Sequence, residues 1–173
     1  MHGKNYREWK GMAYTSKTFA PGAPNPKVAR FTTGKSRPDY DYLFKLISEG
    51  KVQIRHNALE AARVAASKKV VLIGEENFFL KVVSYPHIIL RENKMIATAG
   101  ADRLQEGMRK AFGKPIGLAA RVDIGDTVLE LSLKAENMEK GKEAMRAAST
   151  KLPMKTRVEV VKLEKPVAAT AQE

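Results

Sequence analysis

The chain has no cysteine and only three histidines among its 173 residues. Without cysteine it forms no disulfide, builds no thiolate zinc site and offers no cysteine nucleophile. The histidines His2, His56 and His87 lie far apart in the sequence, so a histidine-rich metal site is not expected. We therefore expect a protein that uses no metal and no other cofactor.

Long apolar runs are missing as well. No segment approaches the length that spans a bilayer, and the first residues hold no apolar run of signal-peptide length. We therefore expect a cytoplasmic protein with no membrane partner. A length of 173 residues fits one domain, and a hydrophobic fraction of 43% is enough to build a core.

Acidic side chains are scarce relative to basic ones. Asp and Glu total 19, Lys and Arg total 31, and the formal net charge is +12. Self-repulsion of this size disfavours a compact chain unless a partner neutralises it. Nucleic acid is the commonest partner of that kind, and a merely basic soluble protein is the plainer alternative.

An extended basic arm is predicted over residues 1–26, which Pro21, Pro24 and Pro26 punctuate. Cations suit phosphates, and flat rings suit bases or riboses. The rings could equally pin the arm onto the domain, Trp9 included. The interleaved residues are the cations Lys4, Arg7, Lys10 and Lys17 and the aromatics Tyr6, Trp9, Tyr14 and Phe19.

The remaining pattern predicts a two-layer α+β domain over residues 27–164, in which helices cover one face of a mixed sheet. Residues 165–173 read as a frayed tail. Gly125-Asp126 is typical of a hairpin turn between two of the strands, and Val160-Val161 breaks an alternation and indicates a bulge. Strands are expected at 27–33, 40–48, 78–85, 87–91, 117–123, 127–134 and 155–163.

Two helices are predicted from apolar residues at spacings of three and four. The first begins at Asn57, a good N-cap with Glu60 three residues on, and ends at Gly74. The second spans about 137–150 and ends before Pro153. The apolar stripes are Leu59, Ala62, Ala66, Val70 and Ile73 in the first helix and Met138, Gly141, Met145, Ala148 and Leu152 in the second.

A long basic loop is predicted over residues 93–115. Loops of this length without structure of their own are usually functional, and a positive one indicates a polyanionic partner. It is not a nucleotide-binding P-loop, because Gly107 and Gly113 are one residue too far apart and Pro115 stands where Ser or Thr is needed. The loop holds the cations Lys94, Arg103, Arg109, Lys110 and Lys114 and the anions Asp102 and Glu106.

Other polar residues have local explanations. Asp123 and Asp126 flank Gly125, where aspartate is expected to form turn hydrogen bonds. His56 either contacts an RNA backbone or caps the first helix, and His87 is best explained as a satisfied core or edge histidine. A small enzyme using Asp123 or His87, and a free-standing RNA-binding regulator, remain as alternative functions.

Three segments carry a family resemblance: residues 53–63, residues 85–93 with Tyr85-Pro86-His87, and residues 101–121 with Ala111-Phe112-Gly113-Lys114-Pro115. Together they resemble the large-subunit ribosomal protein L-sixteen family, whose archaeal and eukaryotic type is called L-ten-e. The similarity spans about residues 4–163. The loop motif is long and specific.

This resemblance implies a hammerhead-like α+β fold and a non-enzymatic protein of the cytoplasmic ribosome. It implies partners in large-subunit rRNA beside the central protuberance, the vicinity of 5S rRNA, tRNA and neighbouring large-subunit proteins. The 93–115 loop would point towards the tRNA cleft and peptidyl transferase region, and the protein would join late in assembly. The expected RNA-binding residues are Lys4, Arg7, Lys10, Lys17, Lys27, Arg55, His56, Arg91, Lys94, Arg103, Arg109, Lys110, Lys114 and Arg121.

Overall fold

A computed structural model of the chain describes residues 8–13, 15–16, 18–94 and 113–163. These residues form strands joined by two α-helices and short 3-10 turns. The helices are α1 (His56–Val70) and α2 (Met138–Ser149). The strands are β1 (Thr32–Gly34), β2 (Tyr42–Ser48), β3 (Val52–Arg55), β4 (Phe78–Val82), β5 (Ile88–Glu92), β6 (Lys114–Val122), β7 (Thr127–Leu133) and β8 (Thr156–Lys162).

The strands form two antiparallel sheets. The larger sheet has the order β1-β4-β7-β2-β8, and the smaller has the order β3-β6-β5. The α+β class is confirmed, but the single mixed sheet expected from the sequence is replaced by two separate sheets. The reason is that consecutive strands belong to different sheets: β4 lies in the larger sheet and β5 in the smaller, with residues 83–87 between them.

The turn between β6 and β7 does not make a hairpin, so that prediction is wrong. The Gly125 N–H donates to the Ser48 carbonyl at 2.9 Å, and the Ser48 N–H donates to the Asp126 carbonyl at 2.9 Å. The turn therefore pairs with the end of β2 and sends the chain from the smaller sheet to the larger. The expected turn chemistry is confirmed, because Asp126 Oδ2 accepts the Asp123 N–H at 2.8 Å.

The sequence pattern did not reveal β3, and this changes the start of α1. β3 runs directly into the helix, which begins at His56 with Arg55 in the N-cap position and no side-chain cap bond. The predicted Asn57 cap is therefore wrong. Glu60 does not close a capping box but accepts a 2.9 Å hydrogen bond from Arg63 Nε.

Helix α1 packs against α2 and against strands of both sheets. Four residues of its predicted stripe, Leu59, Ala62, Ala66 and Val70, are fully buried, whereas the fifth, Ile73, is partly buried in a 3-10 turn because α1 ends at Val70 rather than near Gly74. The alanines let the helix approach both sheets closely. Helix α2 covers β2, β7 and β8 with the buried residues Gly141, Ala144, Met145 and Ala148.

The other face of the larger sheet carries charges of alternating sign. A cross-strand row runs from Lys81 on β4 through Glu130 on β7 and Lys45 on β2 to Glu159 on β8. Opposite charges facing each other across strands are favourable and leave little net field. The β2–β8 register is unbroken, so the bulge predicted at Val160-Val161 is absent. A register shift lies instead between Leu46 and Ile47, opposite β7.

The described residues show neither a membrane span nor a metal-binding cluster. None of their helices has the length and apolar character needed to cross a membrane. No group of three His, Cys, Asp or Glu side chains among them is arranged to hold a metal ion.

The larger sheet supplies a direct test of the core. Leu131 is fully buried between Phe44 and Leu80 in one cross-strand row. Leu131→Ala should lower the free energy of unfolding by about 3 kcal/mol, because it removes apolar packing and leaves a cavity. Urea unfolding followed by circular dichroism measures this. The control, Leu72→Ala, truncates a side chain that is 79% exposed and should change stability by less than about 0.5 kcal/mol. Equal losses of stability would contradict this packing.

Candidate nucleic-acid interface

The predicted RNA-binding residues gather on the smaller sheet. Arg55 lies on β3, Arg91 on β5, and Lys114 and Arg121 on β6. None of the described residues in the predicted set lies on a strand of the larger sheet. The smaller sheet therefore organises a basic side of the molecule that the sequence alone could not assemble.

The 93–115 loop leaves from one end of this sheet. Glu92 pairs with Lys114, and Arg91 pairs with Pro115. A Cβ atom at Gly113 would overlap the backbone of Glu92 and Asn93, so the close stem requires glycine at this position. Arg91 and the exposed Lys94 and Lys114 meet at this end. Residues 95–112 lie outside the described residues, so the predicted contacts of Arg103, Arg109 and Lys110 stay predictions.

A groove runs along the surface of α1, with a volume of about 560 Å³. Its floor is Ala61, Val64 and Ala65, and Asn57 lies at its upper end. A neighbouring hollow of about 260 Å³ shares Asn57 and Lys151 and adds Arg55. We call this surface the α1 groove; the cations that line it and the hollow are Lys27, Arg55, Lys68 and Lys151.

Sequence reasoning missed two of these cations. Lys68 lies near the end of α1, and Lys151 follows α2, far from Lys27 in sequence. Only the packing of α2 against α1 brings Lys151 beside Asn57. No spacing pattern in the sequence signals this contact. The single acid lining the groove, Glu60, is already paired with Arg63.

His56 belongs to the interior rather than to the basic surface. It is 4% exposed, and its Nδ1 accepts the backbone N–H of Lys27 at 3.1 Å. Burial lowers its pKa, and the charges of Arg55 and Lys27 lower it further. The predicted RNA contact therefore does not fit this side chain. The ring instead fixes the backbone at Lys27, at the edge of the α1 groove.

The arm is held by a cluster that we call the arm clamp: Trp9, Lys51 and Arg121. Lys51 Nζ lies 4.0 Å from the Trp9 ring centroid, and Arg121 Cζ lies 4.6 Å from it. Arg121 also donates to the carbonyls of Gly11 at 2.9 Å and Met12 at 3.2 Å. Trp9 thus has the packing role that the sequence left open, and Arg121 directs its donors to the arm.

A second contact holds the arm further along. Ala20 is buried with Ile89 of β5 and Leu118 of β6, and Ala23 packs against them. The described arm therefore runs against the smaller sheet, which leaves Lys10 exposed. Lys4, Arg7 and Lys17 lie outside the described residues. The arm clamp lies about 23 Å from the loop stem along β6, at roughly 3.3 Å per residue.

Several exposed cations on these segments form no ion pair with another described residue. No ion pair between described residues uses Lys10, Lys27, Lys94 or Lys114. The pairs that do form lie mostly elsewhere, such as Lys69 with Glu143 and Arg37 with Glu76. Exposed cations without an ion pair among the described residues are therefore found on the arm, at the loop stem and at the α1 groove.

The arm clamp makes one testable prediction. Arg121→Lys keeps the charge but loses the planar fork that bonds both carbonyls and lies over Trp9. Trp9, the single tryptophan, should become more accessible to acrylamide quenching, and trypsin should cleave faster at Lys10. The control is Arg157→Lys, the same change on β8, where Arg157 pairs with Glu159 at 2.7 Å. Equal quenching in both variants would rule out the clamp.

His56 makes a prediction about pH. Its pKa is lowered in the folded chain, whereas the unfolded chain has an ordinary histidine pKa near 6.5. Stability contributed by the neutral ring is therefore present above about pH 6.5 and lost as the pH falls through the folded-state pKa. The free energy of unfolding, measured by urea titration between about pH 7 and pH 5, should fall more steeply in the unaltered chain than in His56→Gln. Parallel curves would refute this linkage.

The chain is also similar in sequence to known proteins. The family described as Ribosomal protein L16p/L10e matches residues 9–159. The chain is 52% identical over 170 residues to the large ribosomal subunit protein uL16 of Sulfolobus acidocaldarius, covering 96% of this chain and 97% of that protein. It is 50% identical over 165 residues to the uL16 protein of Metallosphaera sedula, covering 94% of each. The chain therefore belongs to the ribosomal protein L16p/L10e family.

Proposed function

We propose that the chain binds large-subunit ribosomal RNA through its basic side, formed by the arm, the loop stem and the α1 groove. Membership of the family directly supports a more general statement about the chain. The chain is a structural constituent of the large subunit of the cytoplasmic ribosome, not an enzyme, with rRNA and ribosomal proteins as its partners. The proposal concerns which surface does the binding.

The observation that carries the proposal is the excess of cations on the smaller sheet and the α1 groove, seven against two acids, compared with four against two on the strands of the larger sheet. The larger sheet presents an alternating row that is electrically balanced, from Lys81 to Glu159. The strands of the smaller sheet and the adjoining α1 groove carry more cations than acids. RNA phosphates are the natural complement of such a surface, because each phosphate bound releases condensed counterions.

The shape of the α1 groove supports RNA backbone binding. Small side chains on its floor, Ala61 and Ala65, let a phosphodiester chain approach the helix closely. Long lysine side chains at its margins reach over the floor and can contact successive phosphates. Asn57 adds a neutral side chain that can both donate and accept hydrogen bonds.

The finer assignment concerns the 93–115 loop and the location on the subunit. We propose that the loop reaches towards the tRNA-binding cleft and peptidyl transferase region, and that the domain lies beside the central protuberance near 5S rRNA. Two observations support this: the resemblance of residues 101–121 to the family motif, and a stem that projects from the end of the smaller sheet. Joining the subunit late in assembly belongs to the same proposal, as do the arm at 1–26, the domain at 27–164 and the tail at 165–173.

The main experiment compares two double variants of equal charge. Lys27→Ala with Lys151→Ala removes two cations of the α1 groove. Lys140→Ala with Lys142→Ala removes two exposed cations on the solvent side of α2. The groove variant should weaken binding to large-subunit rRNA and reduce the slope of log affinity against log salt by about one unit for each phosphate that is no longer bound. The α2 variant should keep the slope of the unaltered chain.

The same preparation tests the loop. Arg109→Ala with Lys110→Ala should weaken tRNA binding or subunit association. Unchanged incorporation together with unchanged tRNA affinity would refute the loop assignment. Equal salt slopes for the α1 groove and α2 variants would refute the groove assignment.

A free-standing RNA-binding regulator is the alternative function. Sedimentation of cell lysate through a gradient, with and without ribonuclease, distinguishes the two. A ribosomal constituent migrates with large subunits and leaves that position after ribonuclease treatment. A regulator sediments away from ribosomes and binds an isolated RNA hairpin specifically.

A further inference from the structure

Three rings stack on the surface where the chain passes from one sheet to the other. The centroids of Phe31 and Tyr85 lie 5.2 Å apart with 25° between the planes, and those of Tyr85 and His87 lie 6.4 Å apart with 21°. We call these three residues the ring stack. Both gaps are in the range of offset stacking, so the rings form one nearly parallel series.

The ring stack is anchored from both ends. Phe31 packs against the main core, and its carbonyl accepts the Val82 N–H at 2.7 Å. His87 donates its backbone N–H to the Tyr85 carbonyl at 3.1 Å, and its ring Nδ1 lies 3.0 Å from the same oxygen. Pro86, buried between them, limits the backbone further. The rings of Tyr85 and His87 are therefore held in place before any partner binds.

Two residues of the ring stack, Tyr85 and His87, are exposed to solvent. Tyr85 is 55% exposed, His87 is also exposed, and Val83 lies exposed nearby in sequence. The sequence predicted that His87 is a satisfied histidine in the core or at a sheet edge. Its position is at the edge, because it directly precedes edge strand β5. Rigid aromatic rings presented to water forgo the packing that burial would give them, so the core does not explain their position.

We propose that the ring stack binds an unpaired nucleobase of the ribosomal RNA, which extends the series of stacked rings at its exposed His87 end. This inference rests on the proposed rRNA-binding function and names a site outside the basic side. Base stacking on aromatic side chains is a general means of holding unstacked RNA bases. A preformed platform binds with little further loss of side-chain entropy.

Charge near the ring stack favours RNA over a protein partner. Arg30, which is exposed, directly precedes Phe31 in the chain. A base on the rings would bring its phosphate to a chain of net charge +12. Tyr85 also offers a hydroxyl and His87 a ring Nε2 for the polar edge of a base.

The test uses large subunits depleted of this protein and rebuilt with the full chain or a variant. Tyr85→Leu keeps an apolar side chain against Phe31 but removes the ring, and Tyr85→Phe keeps the ring. Leu72→Ala is the control for truncating an exposed apolar side chain. Sedimentation reports incorporation, and base-specific chemical probing reports the reactivity of each unpaired rRNA nucleotide.

With the unaltered chain and Tyr85→Phe, the same unpaired nucleotides should be protected. With Tyr85→Leu, one or two of them should regain full reactivity, and the affinity for depleted subunits should fall roughly 5- to 100-fold. Leu72→Ala should resemble the unaltered chain in both readouts.

Other outcomes overturn the proposal in distinguishable ways. If Tyr85→Leu changes neither the reactivity profile nor the affinity for depleted subunits, the ring stack is purely structural. A lower affinity without any change in rRNA reactivity would assign the ring stack to a neighbouring protein. If the unaltered chain fails to join the subunits, the proposed function itself fails, and the ring stack assignment fails with it.

Discussion

The burial of α1 between two sheets is the constraint on which the rest of the molecule depends. Leu59, Ala62, Ala66 and Val70 contribute a continuous apolar stripe that contacts strands of both sheets and α2. Because no pairing between described strands links the two sheets, the packing of α1 against both of them helps to set their relative position. The basic side exists as one surface only because α1 fixes the smaller sheet beside the end of α2.

The two sheets differ in how much of the core they supply and in the charges they carry. The larger sheet, backed by α2 and α1, supplies most of the core, and its other face places opposite charges beside each other on neighbouring strands. The smaller sheet is largely buried through β5 and β6 but carries cations at its ends and edges. The excess of positive charge beside the smaller sheet is of the kind that the proposed RNA partner would neutralise.

Several of the arm and loop residues serve to hold the binding surface in shape. Arg121 and Trp9 fasten the arm, His56 fixes the backbone at Lys27, and Gly113 lets the two sides of the loop stem meet. Arg121 and His56 have the residue types that suit RNA, but their hydrogen bonds lie within the chain.

Local sequence determined the helices, most of the strands and the turn at Gly125, because these depend on residue periodicity and on hydrogen bonds between near neighbours. It also determined the net charge, and the family motif could be read directly from residues 101–121. Tertiary structure alone decided that β6 and β7 part into different sheets, that Lys151 joins Lys27 at the α1 groove, and that Phe31, Tyr85 and His87 stack. These contacts join residues far apart in the chain, and their free energy comes from packing that no local pattern records.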